Sequence, residues 1–221
     1  MCFMLHIGKT GGTYTRHIIS EIPAARHSIR FLDHQFTLET ALKSFPNEGA
    51  IFAIRDPLAI FVSGFYSRMR KGQPLYNVPW SSDEAIAFST FQTPNQLAEA
   101  LGSSQPELKA NAEFSMRSVY HVARCLHFYL LSVSFVRQNR SQISFILRQA
   151  NLDDDINRLL IKNGILSPHP PVHDDLIRHS SPANLDRSLS PAAIRNLTVW
   201  YKIDFDLYAE CQALALEINA A

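Results

Sequence analysis

Between an apolar run, Cys2 to Ile7, and a segment with helical spacing stands His6-Ile7-Gly8-Lys9-Thr10-Gly11-Gly12-Thr13. Three glycines around a lysine and flanking threonines let backbone N–H groups close on an anion. A helix N-terminus adds partial positive charge, and the lysine can reach a bridging or terminal oxygen. The chemistry this suits is the holding of a phosphate. A second group lies at Ile54-Arg55-Asp56-Pro57-Leu58-Ala59-Ile60-Phe61-Val62-Ser63, with Ser63 eight residues after Arg55. An arginine fork and a hydroxyl two helical turns apart suit a second phosphate, because guanidinium pairs with phosphate in bidentate geometry. A bare glycine turn, or an Arg55 serving only as a salt-bridge partner, would explain either group alone. Their occurrence together is what points to a ligand with two anionic groups.

Gly8-Lys9-Thr10 reads as the end of a nucleoside-triphosphate loop of the G-x-x-x-x-G-K-[ST] kind. That pattern needs a glycine five positions before Gly8, where Phe3 stands inside the apolar run. An ordinary NTPase or kinase loop is therefore disfavoured.

The elements that position these residues are legible from periodicity. Cys2–Ile7, Ser28–Leu32 and Ala50–Ile54 read as strands apolar on both faces. Between and after them, Thr13–Ile22, Leu38–Ser44 and Pro57 to about Arg70 read as helices, the last opened by Asp56 as N-cap and Pro57 at the first helical position. Two-faced strands alternating with helices predict an α/β three-layer fold with a central, mostly parallel sheet flanked by helices. Beyond a loop at Gln73–Pro79 the chain turns helical: Ser82–Phe91, Pro94–Leu101, and a long segment from Arg117 to about Arg137. A strand at Ile143–Leu147 follows, then helices at Asp153–Lys162, from Ser190-Pro191 to about Trp200, and at Phe205–Ile218. The expectation is a P-loop-like domain with a helix-rich C-terminal half. In open sheets of this class ligands bind outside the carboxyl ends of the strands, where Lys9 and Arg55 both fall.

With these motifs in place, the segment His6–Thr13 resembles the 5′-phosphosulfate loop of sulfotransferases that use 3′-phosphoadenosine 5′-phosphosulfate (PAPS). Arg55–Tyr66 resembles their 3′-phosphate segment. The likeness is to the carbohydrate sulfotransferase branch, nearer heparan sulfate 2-O-sulfotransferase than the phenol and steroid enzymes. It is carried by the first 66 residues, while the rest matches in texture, most of all at Asp204-Phe205 and Leu207-Tyr208. Gly8 stands where proline is usual and Tyr14 where serine is usual, so one hydroxyl contact of the family is missing.

The resemblance implies transfer of a sulfuryl group from PAPS to a hydroxyl of a carbohydrate or glycolipid acceptor. Lys9 would stabilise the leaving phosphate, and Thr10, Gly11, Gly12 and Thr13 would hold the phosphosulfate. Arg55 and Ser63 would hold the 3′-phosphate and so distinguish this donor from ATP. His34, 21 residues before Arg55 in Asp33-His34-Gln35-Phe36, is similar to the Gly-His-x-x-Phe pattern of the family and would be the general base; imidazole titrates near working pH. Asp33 and Glu39 are reserve bases that would need burial to raise their pKa. No metal is expected. His169, His173 and His179 with Asp174 and Asp175 lie in a proline-rich stretch that reads as a loop bordering the acceptor. Arg68, Arg70 and Lys71 form a basic cluster at a helix end, and Tyr76 and Trp80 are candidates for stacking on a sugar.

Composition bounds the rest. A length of 221 residues with 46% hydrophobic and 19% charged residues predicts one globular domain able to bury its own core. A net charge of +1 argues against a dedicated nucleic-acid surface. Cys2, Cys125 and Cys211 are few and scattered, which predicts buried thiols in a reducing, cytoplasmic setting. Met1–Ile7 reads as a core strand and lacks the basic start of a secretory signal. Val119–Val136 is interrupted by His121, Arg124 and His127, so no integral membrane segment is expected. Two other functions stay open: an ATP-dependent, P-loop-like kinase, and a non-catalytic nucleotide-binding or sensing protein that keeps the donor site without the base.

Overall fold

The computed structural model describes residues 1–165 and 185–219. The described residues group into two compact units, one drawn from Met1–Arg55, Leu126–His179 and Asp206–Ala221, the other from Asp56–Cys125 and Ser180–Phe205.

The first unit holds the sheet. Four strands, β1 (Cys2–Leu5), β2 (Ile29–Phe31), β3 (Gly49–Ile54) and β4 (Ile143–Arg148), run parallel in the order β2-β1-β3-β4. The protein is thus α/β with a central, all-parallel sheet. Alternation along the strands sends Met4, Ile51, Ala53, Phe145 and Leu147 to one face, where α1 (Gly12–Glu21), α2 (Pro23–Arg26) and α11 (Leu152–Lys162) cover them with Ile18, Ile19, Ala25, Ile156, Leu159 and Leu160. Phe3, Leu5, Phe52, Ile54 and Ile146 point the other way and are equally buried. Each such side chain contributes roughly 1.5–3 kcal/mol, which is why strands this short suffice. The open edge of β4 is closed by Asn219, whose amide donates to Ile146 O at 2.8 Å and accepts from Ile146 N at 3.2 Å.

The chain leaves β1 for β2 on one side, and β3 lies on the other side of β1. The gap between the carboxyl ends of β1 and β3 is therefore the topological switch point. α3 (Leu38–Ser44) connects β2 to β3 and starts with a capping box between Thr37 and Thr40.

The second unit is helical: α4 (Pro57–Met69), α5 (Ser82–Thr90), α6 (Pro94–Ala100), α7 (Pro106–Ser118), α8 (Tyr120–Ala123) and α12 (Pro191–Trp200). Asp56 caps α4 by accepting from Ala59 N at 3.0 Å. At the other end of α4, Arg68 and Glu84 form a buried pair with both oxygens engaged, at 2.6 Å each. The helix-rich expectation holds, with two corrections. α7 forms where no helix is predicted, and the long segment predicted from Arg117 to about Arg137 is broken into the end of α7, α8, α9 (Leu126–Leu130) and α10 (Val133–Gln138). Val119 and Arg124 are turned out of helical ψ, at 112° and 72°, and Leu131 is left-handed at φ 64°. α13 (Lys202–Ile218) ends the described chain. Among the described residues no helix is long and apolar enough to cross a membrane. Cys125 and Cys211 are buried thiols, and Cys2 is half-buried.

Candidate functional site

β1 ends at Leu5 and α1 begins at Gly12, so His6–Gly11 is the loop at the carboxyl edge of the central strand. Lys9 and Gly11 are both left-handed, at φ 65° and 96°. A left-handed Gly11 followed by helical Gly12 is the alternation that turns successive N–H groups toward one concave face. Glycine is needed at Gly11 on two counts: its φ, and the Leu152 side chain, 2.6 Å from where a Cβ would sit. Gly11 brings no side chain to cap α1, and the first turn carries no acid, so the leading amides of this helix are not neutralised by a carboxylate of their own element.

Three contacts hold the loop in this shape. Thr10 is fully buried and its hydroxyl donates to Ile7 O at 2.9 Å. Thr15 donates its N–H and hydroxyl to Gly11 O, at 3.0 and 3.1 Å. Arg55, which directly follows β3, donates Nη1–H to Lys9 O at 3.1 Å. Arg55 and Lys9 thus meet at the switch point. A guanidinium fixed to the carbonyl of a left-handed lysine also offsets the backbone strain of that residue, about 1 kcal/mol or more.

The local field is positive. Burial, and after it the charges of His34, Arg16 and Lys9, push the His6 imidazole down to about 3. The charges among these causes, which come after burial, are all positive, the sign that would favour an incoming anion.

His34 reaches the same edge because Leu32 N donates to Met4 O at 3.0 Å, extending the pairing of β2 with β1 by a residue. Its Nδ1 lies 3.2 Å from His6 O, and the two imidazole rings stack with centroids 3.8 Å apart. The reserve bases are engaged elsewhere. Exposed Asp33 accepts from Gln35 N at 2.9 Å, and Glu39 pairs with Lys43 at 2.7 Å on the surface of α3. The Tyr14 hydroxyl donates to Asp153 on α11.

Of the residues singled out from sequence, Lys9, Thr10, Gly11, Gly12, Thr13, His34 and Arg55 lie in the first unit. Contacts tie Lys9 to Arg55 and His34 to the loop, and Thr13 is half-buried in the first turn of α1. Ser63 is half-buried in the middle of α4, in the second unit. In the basic cluster at the end of α4, Arg68 is buried against Glu84 and serves the fold. Trp80 packs on Phe88 with centroids 5.0 Å apart and donates Nε1–H to Arg68 O at 2.7 Å, so it is a packing residue, while Tyr76 is 51% exposed. His169, His173, Asp174, Asp175 and His179 lie outside the described residues. His6 is the residue that sequence reasoning left without a role; the available signal was an imidazole directly before a glycine loop.

Comparison of the chain with protein-family models, with curated proteins and with solved structures finds no match in any of the three.

Proposed function

We propose that the protein is a PAPS-dependent sulfotransferase acting on a hydroxyl of a carbohydrate or glycolipid. The observation that carries this reading is the meeting of Lys9 and Arg55 at the switch point of an all-parallel sheet, on a loop whose amides and charges suit an anion. The buried position of Phe3 inside β1 adds to it, because the first glycine of a triphosphate loop would have to stand there.

In the proposed reaction the acceptor oxygen attacks sulfur in line as the bond from sulfur to the 5′-phosphate oxygen breaks. The hydroxyl proton passes to His34, and the products are the sulfate ester and 3′,5′-bisphosphoadenosine. Lys9 and the amides of Gly11 and Gly12 meet the charge that builds on the leaving phosphate. The gain is electrostatic, and loss of one such donor costs about 100-fold or more in turnover. Thr10 contributes through its backbone, since its hydroxyl proton is given to Ile7 O. Arg55 is assigned the 3′-phosphate, and Ser63, which the family pattern adds to it, is tested by its own substitution.

The test is thermal unfolding with 3′,5′-bisphosphoadenosine, against ADP, AMP and ATP with magnesium. At 100 times its dissociation constant a ligand adds about 2.7 kcal/mol, which for this size raises the midpoint by roughly 5–10 °C. A shift with the bisphosphate and none with ATP supports the reading. A shift with ATP and magnesium alone makes the loop a kinase cradle. Binding without transfer to any of a broad acceptor panel makes the protein a sensor. In the enzyme, Lys9→Ala lowers turnover by at least ~100-fold, and near-normal turnover in that variant removes the role given to Lys9.

A further inference from the structure

We infer that His6 is a positioning residue for His34: its carbonyl selects one tautomer of that ring, and its imidazole, stacked on His34 and seated over Gly12, ties the ring to the anion loop. The inference deepens the reading of His34 as the base and rests on it.

A carbonyl oxygen only accepts. The nitrogen of His34 that lies 3.2 Å from His6 O is Nδ1, so Nδ1 carries the hydrogen. In the neutral ring this leaves the lone pair on Nε2, the nitrogen that can take a proton from an acceptor hydroxyl. The opposite tautomer would present an N–H there and could not act as a base.

The carbonyl alone does not fix the ring, since an imidazole can swing about its χ angles and lose a single hydrogen bond. The second restraint is the His6 ring, with its centroid 3.8 Å from that of His34 and the planes inclined by 34°. The His6 ring also lies against Gly12. A Cβ on Gly12 would lie 2.4 Å from His6 Cδ2 and 2.6 Å from Nε2, so the ring occupies the space that the missing side chain leaves. His34, His6 and Gly12 thus form one packed column from the base to the first residue of α1, whose amide lines the loop.

Burial, first, and charge, second, explain why the partner ring is an imidazole that stays neutral: His6 is desolvated, and His34, Arg16 and Lys9, all of the same sign, push on it. Asp33, next to His34 in the chain, is occupied by the Gln35 amide. Two stacked imidazolium rings would repel at this distance, so a His6 ring that stays neutral favours passage of the acceptor's proton to its partner.

The experiment is nitrogen-15 imidazole spectroscopy of the full chain at pH 7.5, with the His34 signals assigned by their loss in His34→Gln. In the wild type, Nδ1 of His34 is expected at a protonated shift and Nε2 at an unprotonated one. His6→Ala keeps the backbone carbonyl but removes the ring, and the His34 signals move toward the average of the two tautomers. His6→Phe restores the stack and with it the single tautomer. In transfer assays His6→Ala lowers kcat on the order of 10–100-fold, the scale of a small misplacement of a reacting group. Its KM for donor changes little, and His6→Phe recovers most of the rate. A wild-type His34 protonated at Nε2, or a His6→Ala spectrum superimposable on that of the wild type, overturns the inference, and the first of these needs no change at His6. If the spectra behave as expected while the wild type transfers nothing, the positioning stands and the sulfotransferase reading fails.

Discussion

Gly12→Ala isolates the packing of the loop from its charge. Gly12 opens α1 in ordinary helical conformation, so alanine should be welcome there on backbone grounds, with a gain of up to about 0.5–1 kcal/mol. What opposes it is one ring: the new Cβ would lie 2.4 Å from His6 Cδ2, against about 3.5–4 Å for carbon atoms in contact. The imidazole has to move by more than an ångström, and it is already stacked on His34. Forcing a methyl group into such a site costs typically about 1–3 kcal/mol. Against the propensity gain, the net loss is up to about 2.5 kcal/mol, or up to roughly 10 °C in the unfolding midpoint for a chain of this size. In a His6→Ala background the obstacle is gone and only the propensity term remains, so the same Gly12→Ala change becomes neutral or slightly stabilising. Urea unfolding of the four proteins closes the cycle, with an expected coupling of about 1–3 kcal/mol. Equal costs of Gly12→Ala in both backgrounds would refute the placement of His6 over Gly12.

Acid stability follows from the same ring. Between its unfolded value of 6.5 and about 3 in the folded chain, His6 binds a proton only when unfolded. Stability is therefore full above pH 6.5 and falls by up to about 1.4 kcal/mol per pH unit below it; His6→Phe should flatten the urea midpoint between pH 6.5 and 4, and an unchanged slope would sink the assignment. Glu84 accepts from Arg68 and from the backbone of Ser81 and Tyr120, so Glu84→Ala should cost about 3–5 kcal/mol in urea unfolding by leaving a buried guanidinium uncompensated. The double change Arg68→Met with Glu84→Leu should recover most of that loss, and failure to recover it would mean that the carboxylate matters chiefly as the cap of α5. Burial pushes the Cys211 thiol up to about 12, so alkylation at pH 8 should proceed at the rate of unfolding, and faster labelling of the folded protein would show that α13 opens locally.

The parts of the fold that sequence made legible are those where one residue type has few alternatives. β3 is apolar on both faces because both faces are buried, Asp56-Pro57 opens α4 because a cap and an N1 proline suit little else, and the glycines around Lys9 mark a backbone that turns left-handed. The segment from Val119 to Gln138 was opaque for the opposite reason. Val119, Val122, Leu126, Tyr129 and Leu130 keep a spacing that one helix would satisfy, and neither glycine nor proline interrupts it. The break at Arg124 falls where the buried residues pass from one unit to the other, up to Cys125 in one and from Leu126 in the next, while those at Val119 and Leu131 lie inside the units. α7 was missed although Pro106 stands at its first position, because its exposed face hides the helical period; only Ala112, Ser115 and Met116 are buried.

The site divides in the same way. Lys9 and the glycines announce an anion loop by type and order, but nothing in the order of residues says that Arg55 holds the Lys9 carbonyl, or that Asp33 and Glu39 make local contacts while His34 is drawn to His6. Those distinctions arise from strand register. Pairing of β2 with β1 at Met4 and Phe31, continued by Leu32, puts position 34 beside position 6. A slip of one residue would carry His34, in the turn that follows β2, out of register with position 6. The chemistry proposed for His34 is therefore only as secure as the burial of Ile29 and Leu32, and a polar substitution at Leu32 should release the His34 ring before it unfolds the chain.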